Sequence, residues 1–417
     1  MKVYLRTFGC RANHYDTEVV RAMLESGGHD IVSSPASADV AVFNSCAVTS
    51  EAEAELRKVV RRAAREQPML RSVVMGCAAA LDDDRSEPLQ IRSLPSVERV
   101  VAGADIAALA AALDLAPGAP GVLTRAQTGA RALLRIQDGC DEHCTFCATT
   151  LARGANRSRP VADLVREATA LAERHAEIVI TGIHIGTYGA DVGSSLGALM
   201  RQLVRDVPSV RFRLSSIEAT EIDDALVDLL LGAPRQLVPH IHAPLQSGSD
   251  RVLRRMGRHW YSAARYASAV ERLADKMPVL GLGADVIAGF PGETQQDHDA
   301  TVELIERLPF TYLHVFPYSR RPGTAADRLR DHLAPPIISK RAAELRTLAE
   351  RKAVAYRASR SGGAADVITI GGRGERDAMT EDYLSVFPAD PTLPRGARFT
   401  ARLALEQDRL LAVPIEQ

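Results

Sequence analysis

Short apolar runs of strand length, each giving way to a helical stretch, recur along most of this 417-residue chain. That alternation leaves few architectures. Consecutive strand–helix units pair as parallel strands, with the helices covering the sheet faces. Near the amino terminus KVYLRTFG, DVAVFNS, SVVMG and ERVVAG read as buried parallel strands, and Ser50 with Glu53 fits a capping box after the second run. The Pro/Gly-rich stretch Ala116 to Gly121 reads as a linker. From Arg131 to Arg330 the pattern recurs six times, with strands ALLRIQDG, AEIVITGI, RFRLSSIE, HIHAPLQ, LGLGADVIAGF and YLHVFPYS. Six such units predict a full or partial barrel whose site lies at the carboxyl ends of its strands. A charged helical region, Ile338 to Arg360, and the boundary SRSGGAA precede a tail from Asp366 to Ile415. The tail's alternating runs VITIGG, YLSVFP, RFTARLAL and LLAVPI predict a small antiparallel barrel. The expected fold class is α/β: an amino-terminal parallel α/β domain, a (β/α) barrel and a small carboxyl-terminal β-barrel.

The net charge of -1 gives no global basic field, so any nucleic-acid contact must come from local patches. Lysine occurs only at Lys2, Lys58, Lys276, Lys340 and Lys352, and arginine supplies the remaining positive charge. Arginine offers bidentate phosphate contacts, although a GC-rich coding bias accounts for the same composition. The start, MKVYLRTFGC, lacks the apolar core of a signal peptide. Asp105, Asp114 and two prolines interrupt the most apolar stretch, Val100 to Leu123, which reads as a surface helix and linker rather than a membrane span. The expected location is the cytoplasm, where thiolate ligation is favoured over disulfides.

Cys140, Cys144 and Cys147 form a CxxxCxxC run at the end of a predicted strand. Three such thiolates bind three irons of a cubane cluster and leave the fourth open to an external ligand. Zinc sites of four cysteines usually show paired CxxC knuckles; no second pair exists, which favours a cluster. Cys10, Cys46 and Cys77 share a different setting: each ends an apolar strand and precedes a polar or helical start. In a parallel sheet all three emerge on one edge, where ligands bind. Each alone reads as a small buried hydrophobe; three in the same position read as a second ligand set.

TFGCRANHYDTE, FNSCAVTSEAE, VMGCAA, QDGCDEHCTFC, TGIHIGTYG, PLQSGSDRVLRRMGR and ADVIAGFPGET together resemble the radical S-adenosylmethionine (SAM) methylthiotransferases over essentially the whole chain. The resemblance is strongest to those acting on threonylcarbamoyladenosine of tRNA. It implies a methylthiotransferase domain at 1–115, a partial (β/α) radical SAM barrel at 126–358 and an RNA-binding TRAM domain at 363–417. By the same resemblance, Cys140, Cys144 and Cys147 would hold the SAM-binding 4Fe–4S cluster, and Cys10, Cys46 and Cys77 an auxiliary 4Fe–4S cluster. The implied reaction places a methylthio group on carbon 2 of an adenine ring. One SAM would yield a 5′-deoxyadenosyl radical and a second would methylate the sulfur. The ring C–H is too strong for a side-chain base, so the cofactor must supply the reactivity. The implied partners are tRNA, a small electron donor such as a flavodoxin or ferredoxin, and a sulfur donor. Arg11 and the TGIHIGTYG run point to threonylcarbamoyladenosine; relatives acting on isopentenyladenosine or on a ribosomal-protein aspartate usually differ at both. After Cys147 the chain reads ATTLARG, where the family more often has a bulkier apolar pair, then proline and an aromatic. Arg153 and Gly154 are retained, so the departure bears on packing beside the cluster rather than on ligation. The competing readings are another methylthiolation substrate, or a non-catalytic iron–sulfur or zinc protein that binds RNA.

Four further positions are expected to meet SAM. Gly182 permits close backbone approach, or is a simple turn glycine; Ser216, Glu218 and Gln246 end strands and either bind the cofactor or cap those strands. The GxxGE of IAGFPGE lacks a Walker lysine and reads as a strand-to-helix turn. His240 and His242 face one side of a strand, as a metal pair or as polar lining of the barrel. Arg251, Arg254, Arg255 and Arg258 recur at helical spacing, as a solvated face or an RNA contact. Arg11, Arg153, Arg373 and Arg376 are the expected substrate contacts. In the tail, arginines interleave with Tyr383, Phe387 and Phe399, a pattern suited to single-stranded RNA, though Glu375, Asp377, Glu381 and Asp382 dilute it.

Overall fold

The computed structural model describes residues 1–47, 50–82, 90–115, 122–371 and 377–415, with Ser50 described by its backbone only. The side chain of the capping-box Ser50, the linker Ala116–Gly121, Glu375, Arg373 and Arg376 therefore lie outside the described residues.

The amino-terminal strands are β1 (Lys2–Thr7), β2 (Asp30–Val32), β3 (Val40–Ser45), β4 (Arg71–Gly76) and β5 (Val97–Ala102). They form one parallel sheet in the order β2-β1-β3-β4-β5. Every residue of β3 is buried, as expected of a central strand covered on both faces. β2 was not foreseen; at three residues it is too short to carry a periodic signal, and it occupies the sheet edge.

The barrel strands are β6 (Ala132–Arg135), β9 (Glu177–Thr181), β10 (Arg211–Leu214), β11 (His240–His242), β12 (Gly281–Ala288) and β13 (Tyr312–Pro317). Two short strands, β7 (Gln137–Asp138) and β8 (Arg157–Ser158), form a separate ribbon. The order is β6-β9-β10 and β11-β12-β13, and bridges Phe212↔Leu237 and Ser216↔His242 join the halves into a partial barrel. The expected strand ALLRIQDG divides at Ile136 into β6 and β7, so Cys140 follows the ribbon rather than the barrel strand. The IAGFPGE segment is a turn, with Gly289 and Gly292 both at φ +76.

Helix Pro335–Arg360 leads to the tail strands β14 (Ala364–Thr369), β15 (Ala378–Thr380), β16 (Ser385–Pro388), β17 (Arg398–Glu406) and β18 (Arg409–Pro414). They close into a barrel in the order β14-β15-β16-β18-β17; β15 was not foreseen from the sequence. Among the described residues no helix is long and apolar enough to cross a membrane.

Buried charge fastens this tail to the amino-terminal ends of the large barrel's strands. Glu177 opens β9, is 0% exposed, and accepts from Arg211 Nε at 2.6 Å and Arg213 Nε at 2.9 Å. The same two guanidinium groups donate to tail carbonyls: Arg211 to Asp366 O at 2.5 Å, Arg213 to Thr380 O and Glu381 O, each at 2.9 Å. Gly281 completes the seat, since a Cβ there would lie 2.1 Å from Asp382 O. Beside it, Tyr383 stacks on His240 at 4.4 Å between centroids.

Removing one member of a buried ion network leaves the others uncompensated. Glu177→Gln is therefore expected to destabilise the protein by about 3–5 kcal/mol and to release the tail barrel to limited proteolysis; a wild-type denaturation midpoint would contradict this. His240 contributes a pH dependence. Burial first, and Arg213 second, hold its imidazole well below its ordinary 6.5, so the folded chain refuses a proton that the unfolded chain accepts. Stability is expected to fall as pH drops below 6.5, and His240→Asn to flatten that slope in denaturant titrations between pH 7 and about 5.

Candidate active site

The parallel register delivers the amino-terminal cysteines to one edge. Ser45 pairs with Gly76, so Cys46 and Cys77 leave β3 and β4 side by side, and Thr7 pairs with Asn44, which brings Cys10 to the same end. Gly9, at φ +88, makes the approach possible: a Cβ there would lie 2.2 Å from Cys46 Sγ. Asn13, on the helix that Cys10 opens, is fully buried and donates to Phe8 O at 3.0 Å and to Ser45 O at 2.8 Å. One amide thus ties together the segments that carry Cys10 and Cys46. Burial pushes the Cys77 thiol up to about 11 against the pull of Arg153, and the charges of Cys10 and Cys46 are felt there too. Three thiols at one edge of the sheet, with a guanidinium beside one of them, suit an anionic metal cluster.

The second trio lies across a seam, at the carboxyl ends of the barrel strands. Each sulfur has a polar neighbour: His184 Nδ1 at 3.7 Å from Cys140, Arg258 Nη1 at 3.5 Å from Cys144, and Thr149 Oγ1 at 3.1 Å from Cys147. The Thr149 N–H donates to Cys147 Sγ at 3.4 Å. The departure ATTLARG thus sets a hydroxyl and an amide against this thiol, while Leu151 is 63% exposed. Burial raises the Cys144 thiol to about 12, with Arg258 opposing. Burial alone would lower His184, but Cys140 and Glu221 lift it to about 10. A cation at His184 and another at Arg258 therefore face the trio, a donor set that fits a cluster rather than isolated core thiols.

The remaining expected contacts divide. Glu218 is buried and paired through Oε1 with Arg258, while its Oε2 is buried with no partner, an acceptor aimed beside Cys144 that suits an ammonium. Gln246 holds φ +63, a costly backbone for a non-glycine residue, and its side chain lines the cavity described below. Ser216 is exposed and bridges to His242. Gly182 is explained by the protein itself, because a Cβ there would meet Gln137 Oε1 at 2.8 Å. Arg11 reaches away from Cys10 to the Tyr383 hydroxyl of the tail barrel at 3.3 Å. Arg153 is surrounded by protein, as set out below.

Some residues take roles other than those read from their spacing. The run divides: Arg258 is buried against Glu218, whereas Arg251 and Arg255 pair with Asp297 and Asp331 and stay accessible to solvent. His240 and His242 share the Tyr312 hydroxyl at 2.9 and 3.0 Å, and His242 continues to Asp285 at 3.1 Å, as polar lining of the barrel. Burial would raise Asp285, but His242 and His314 overcome it and hold the carboxyl well below its ordinary range. His184, Asn13 and Asp138 carry no signal in the sequence beyond their places inside the quoted motifs.

Beside Cys147 lies a cavity of about 470 Å³. Cys147 and Phe146 line it from the barrel cluster loop, Ala47 and Glu51 from the segment after Cys46, and Gln246, Phe316 and Arg346 from the strand ends and the long helix.

Comparison with known proteins places this arrangement. Residues 2–94 match the family described as uncharacterized protein family UPF0004, and 134–305 the Radical SAM superfamily. The threonylcarbamoyladenosine tRNA methylthiotransferase MtaB of Thermotoga maritima is 34% identical over 85% of this chain and 83% of its own. The Bacillus subtilis protein of that name is 35% identical over 85% and 81%. The chain belongs to the radical SAM methylthiotransferases. A second group of relatives carries another name: the tRNA-2-methylthio-N(6)-dimethylallyladenosine synthase of Methylococcus capsulatus is 34% identical over 89% of this chain and 85% of its own. In fold, this methylthiotransferase resembles the radical SAM methyltransferase TsrM of Kitasatospora setae, with TM-score 0.58 and 14% identity over 88% of this chain and 78% of that one.

Gly9→Ala is expected to push Cys46 from the trio and to lower the iron bound by the amino-terminal domain. Gly28→Ala, also at positive φ but with nothing within 4 Å, is expected to leave it alone. Equal iron content in the two variants would show that the close approach at Gly9 is not needed.

Proposed function

We propose that this enzyme transfers a methylthio group to carbon 2 of N6-threonylcarbamoyladenosine beside the anticodon of tRNA in the cytoplasm, with SAM and two 4Fe–4S clusters. The observation that carries the reading is a cavity lined both by Cys147 of the barrel trio and by Ala47, the chain neighbour of Cys46. When bound, the barrel cluster with SAM supplies the radical that takes hydrogen from the ring, and the second cluster supplies the sulfur. Cys140, Cys144 and Cys147 would hold the first group, and Cys10, Cys46 and Cys77 the second.

The protein's own part is binding and placement. Glu218 Oε2 offers its unpartnered lone pairs to the SAM ammonium, and Gln246 lines the same space. Phe316, 38% exposed in the cavity wall, offers an aromatic face for an adenine turned out of the anticodon loop. Arginine favours the threonylcarbamoyl substrate over a prenylated one. Its carboxylate is a fixed anion, and the cavity wall carries Arg321 and Arg346. Arg321 donates to Ala47 O at 3.0 Å and braces the wall, whereas Arg346 makes one contact, to Val315 O at 3.3 Å. Glu51 and Asp285 share the cavity, but Asp285 is engaged by His242 and His314. Arg346 is thus the cation placed to meet an incoming carboxylate. An electron donor such as a flavodoxin or ferredoxin, and a sulfur donor, complete the requirements.

In cells lacking the gene, nucleoside mass spectrometry of tRNA is expected to show 2-methylthio-threonylcarbamoyladenosine replaced by its unmethylthiolated parent. Loss from the isopentenyladenosine pool instead would reject the substrate. Arg346→Gln is expected to weaken threonylcarbamoyl-tRNA binding by about 1.5–3 kcal/mol, the strength of a charge-assisted hydrogen bond, seen as a raised KM that Arg346→Lys partly restores.

A further inference from the structure

We propose that Arg153 is the positioning residue that sets the two cysteine trios at a fixed separation and provides the cationic hydrogen bond to the Cys77 sulfur. The inference rests on the reading that each trio holds a cluster.

Arg153 ends the short helix that follows Cys147, so it belongs to the loop that carries the barrel trio. Its side chain is 2% exposed and crosses the seam into the amino-terminal domain. There Nε donates to Cys77 Sγ at 3.3 Å, and Nη2 donates to Asn13 Oδ1 and Asp16 Oδ2, each at 2.7 Å. On its own side, Nη1 donates to Asp138 Oδ1 at 3.0 Å, on the strand that leads into Cys140. Asn13 in turn holds the Phe8 and Ser45 carbonyls beside Cys10 and Cys46. One guanidinium thus touches Cys77 directly, the other two amino-terminal cysteine segments through Asn13, and the Cys140 segment through Asp138.

The charges explain why arginine is needed. Arg135 donates to both Asp16 and Asp138, and the exposed Arg157 lies 3.9 Å from Asp138, so the two carboxylates are already met by guanidinium charge before any thiolate is counted. An anionic cluster on Cys77 then meets a cation held in place by carboxylates on either side of the seam. A lysine, as a compact point charge, cannot present a planar fork to four acceptors spread around it. Outer-shell partners of this kind typically change metal affinity or activity by about 10–100-fold when altered.

The test uses the full-length chain. With Cys140, Cys144 and Cys147 replaced by alanine, only the amino-terminal trio remains, and reconstitution is expected to give about four irons and four sulfides per chain. In that background Arg153→Lys and Arg153→Gln are expected to shift the cluster's midpoint potential to more negative values and to alter its reduced-state EPR spectrum, more so for Gln. With all six cysteines present, the same substitutions are expected to let 5′-deoxyadenosine continue to form while methylthio product falls, raising the ratio of the two by about 10-fold or more. Unchanged potential, spectrum and ratio in Arg153→Lys and Arg153→Gln would overturn the positioning role and leave the two-cluster reading intact. A cysteine-replaced chain that binds no iron would instead overturn the two-cluster reading, and this inference with it. Should Arg153→Gln fail to fold, Arg153→Lys alone decides, since it keeps the charge and loses the fork.

Discussion

Buried guanidinium groups hold the three parts of this molecule together, and every other feature of the site depends on them. At one seam Arg153 joins the amino-terminal sheet to the barrel through Asp16, Asn13 and Asp138. At the other, Arg211 and Arg213 share Glu177 and reach the backbone of the tail barrel. Each group satisfies several acceptors at once from a rigid plane, which is why arginine rather than lysine suits a dry seam. Such networks need not add net stability over an apolar contact, but they specify one relative placement, because any other leaves a buried charge unpaired.

That placement decides what the cysteines can do together. The amino-terminal thiols gather because parallel strands discharge their carboxyl ends on one side, and the barrel thiols because one short loop carries all three. Two trios gathered separately would make two independent sites. The Arg153 seam joins the loop that carries the barrel trio to Cys77, and a cavity lined by Cys147 and by Ala47, the neighbour of Cys46, opens at the same side. The tail barrel, by contrast, seats on the amino-terminal ends of the barrel strands, and Tyr383 and Arg11 connect it inward toward the Cys10 segment.

The legible part of the fold was the part with a period. The strand–helix alternation located the long strands of the first sheet, all six barrel strands and the antiparallel tail. It missed β2 and β15, which have three residues each and no periodicity to read. Among site residues, the cysteines were visible because their chemistry is tied to local spacing and strand ends. Gly182 has the property read from it, a close approach that a Cβ would block, and the group it approaches within the protein is Gln137 Oε1. The helical run Arg251–Arg258 divides because spacing shows which residues share a face but not what each one meets: Arg258 is buried against Glu218, while Arg251 stays exposed beside Asp297.

The sequence by itself determined the class of architecture, the strand ends that carry six thiols and the family to which the chain belongs, because these follow from local periodicity and contiguous motifs. Only the tertiary structure decided that Arg153 faces Cys77, that Glu218 Oε2 has no partner among the described residues, and that Cys147 and Ala47 line one cavity. Those facts depend on residues far apart in the chain, such as Asn13, Cys77, Asp138 and Arg153, meeting in three dimensions. Long-range electrostatic pairing of this kind has no period and no fixed spacing, so it leaves no trace until the chain is folded.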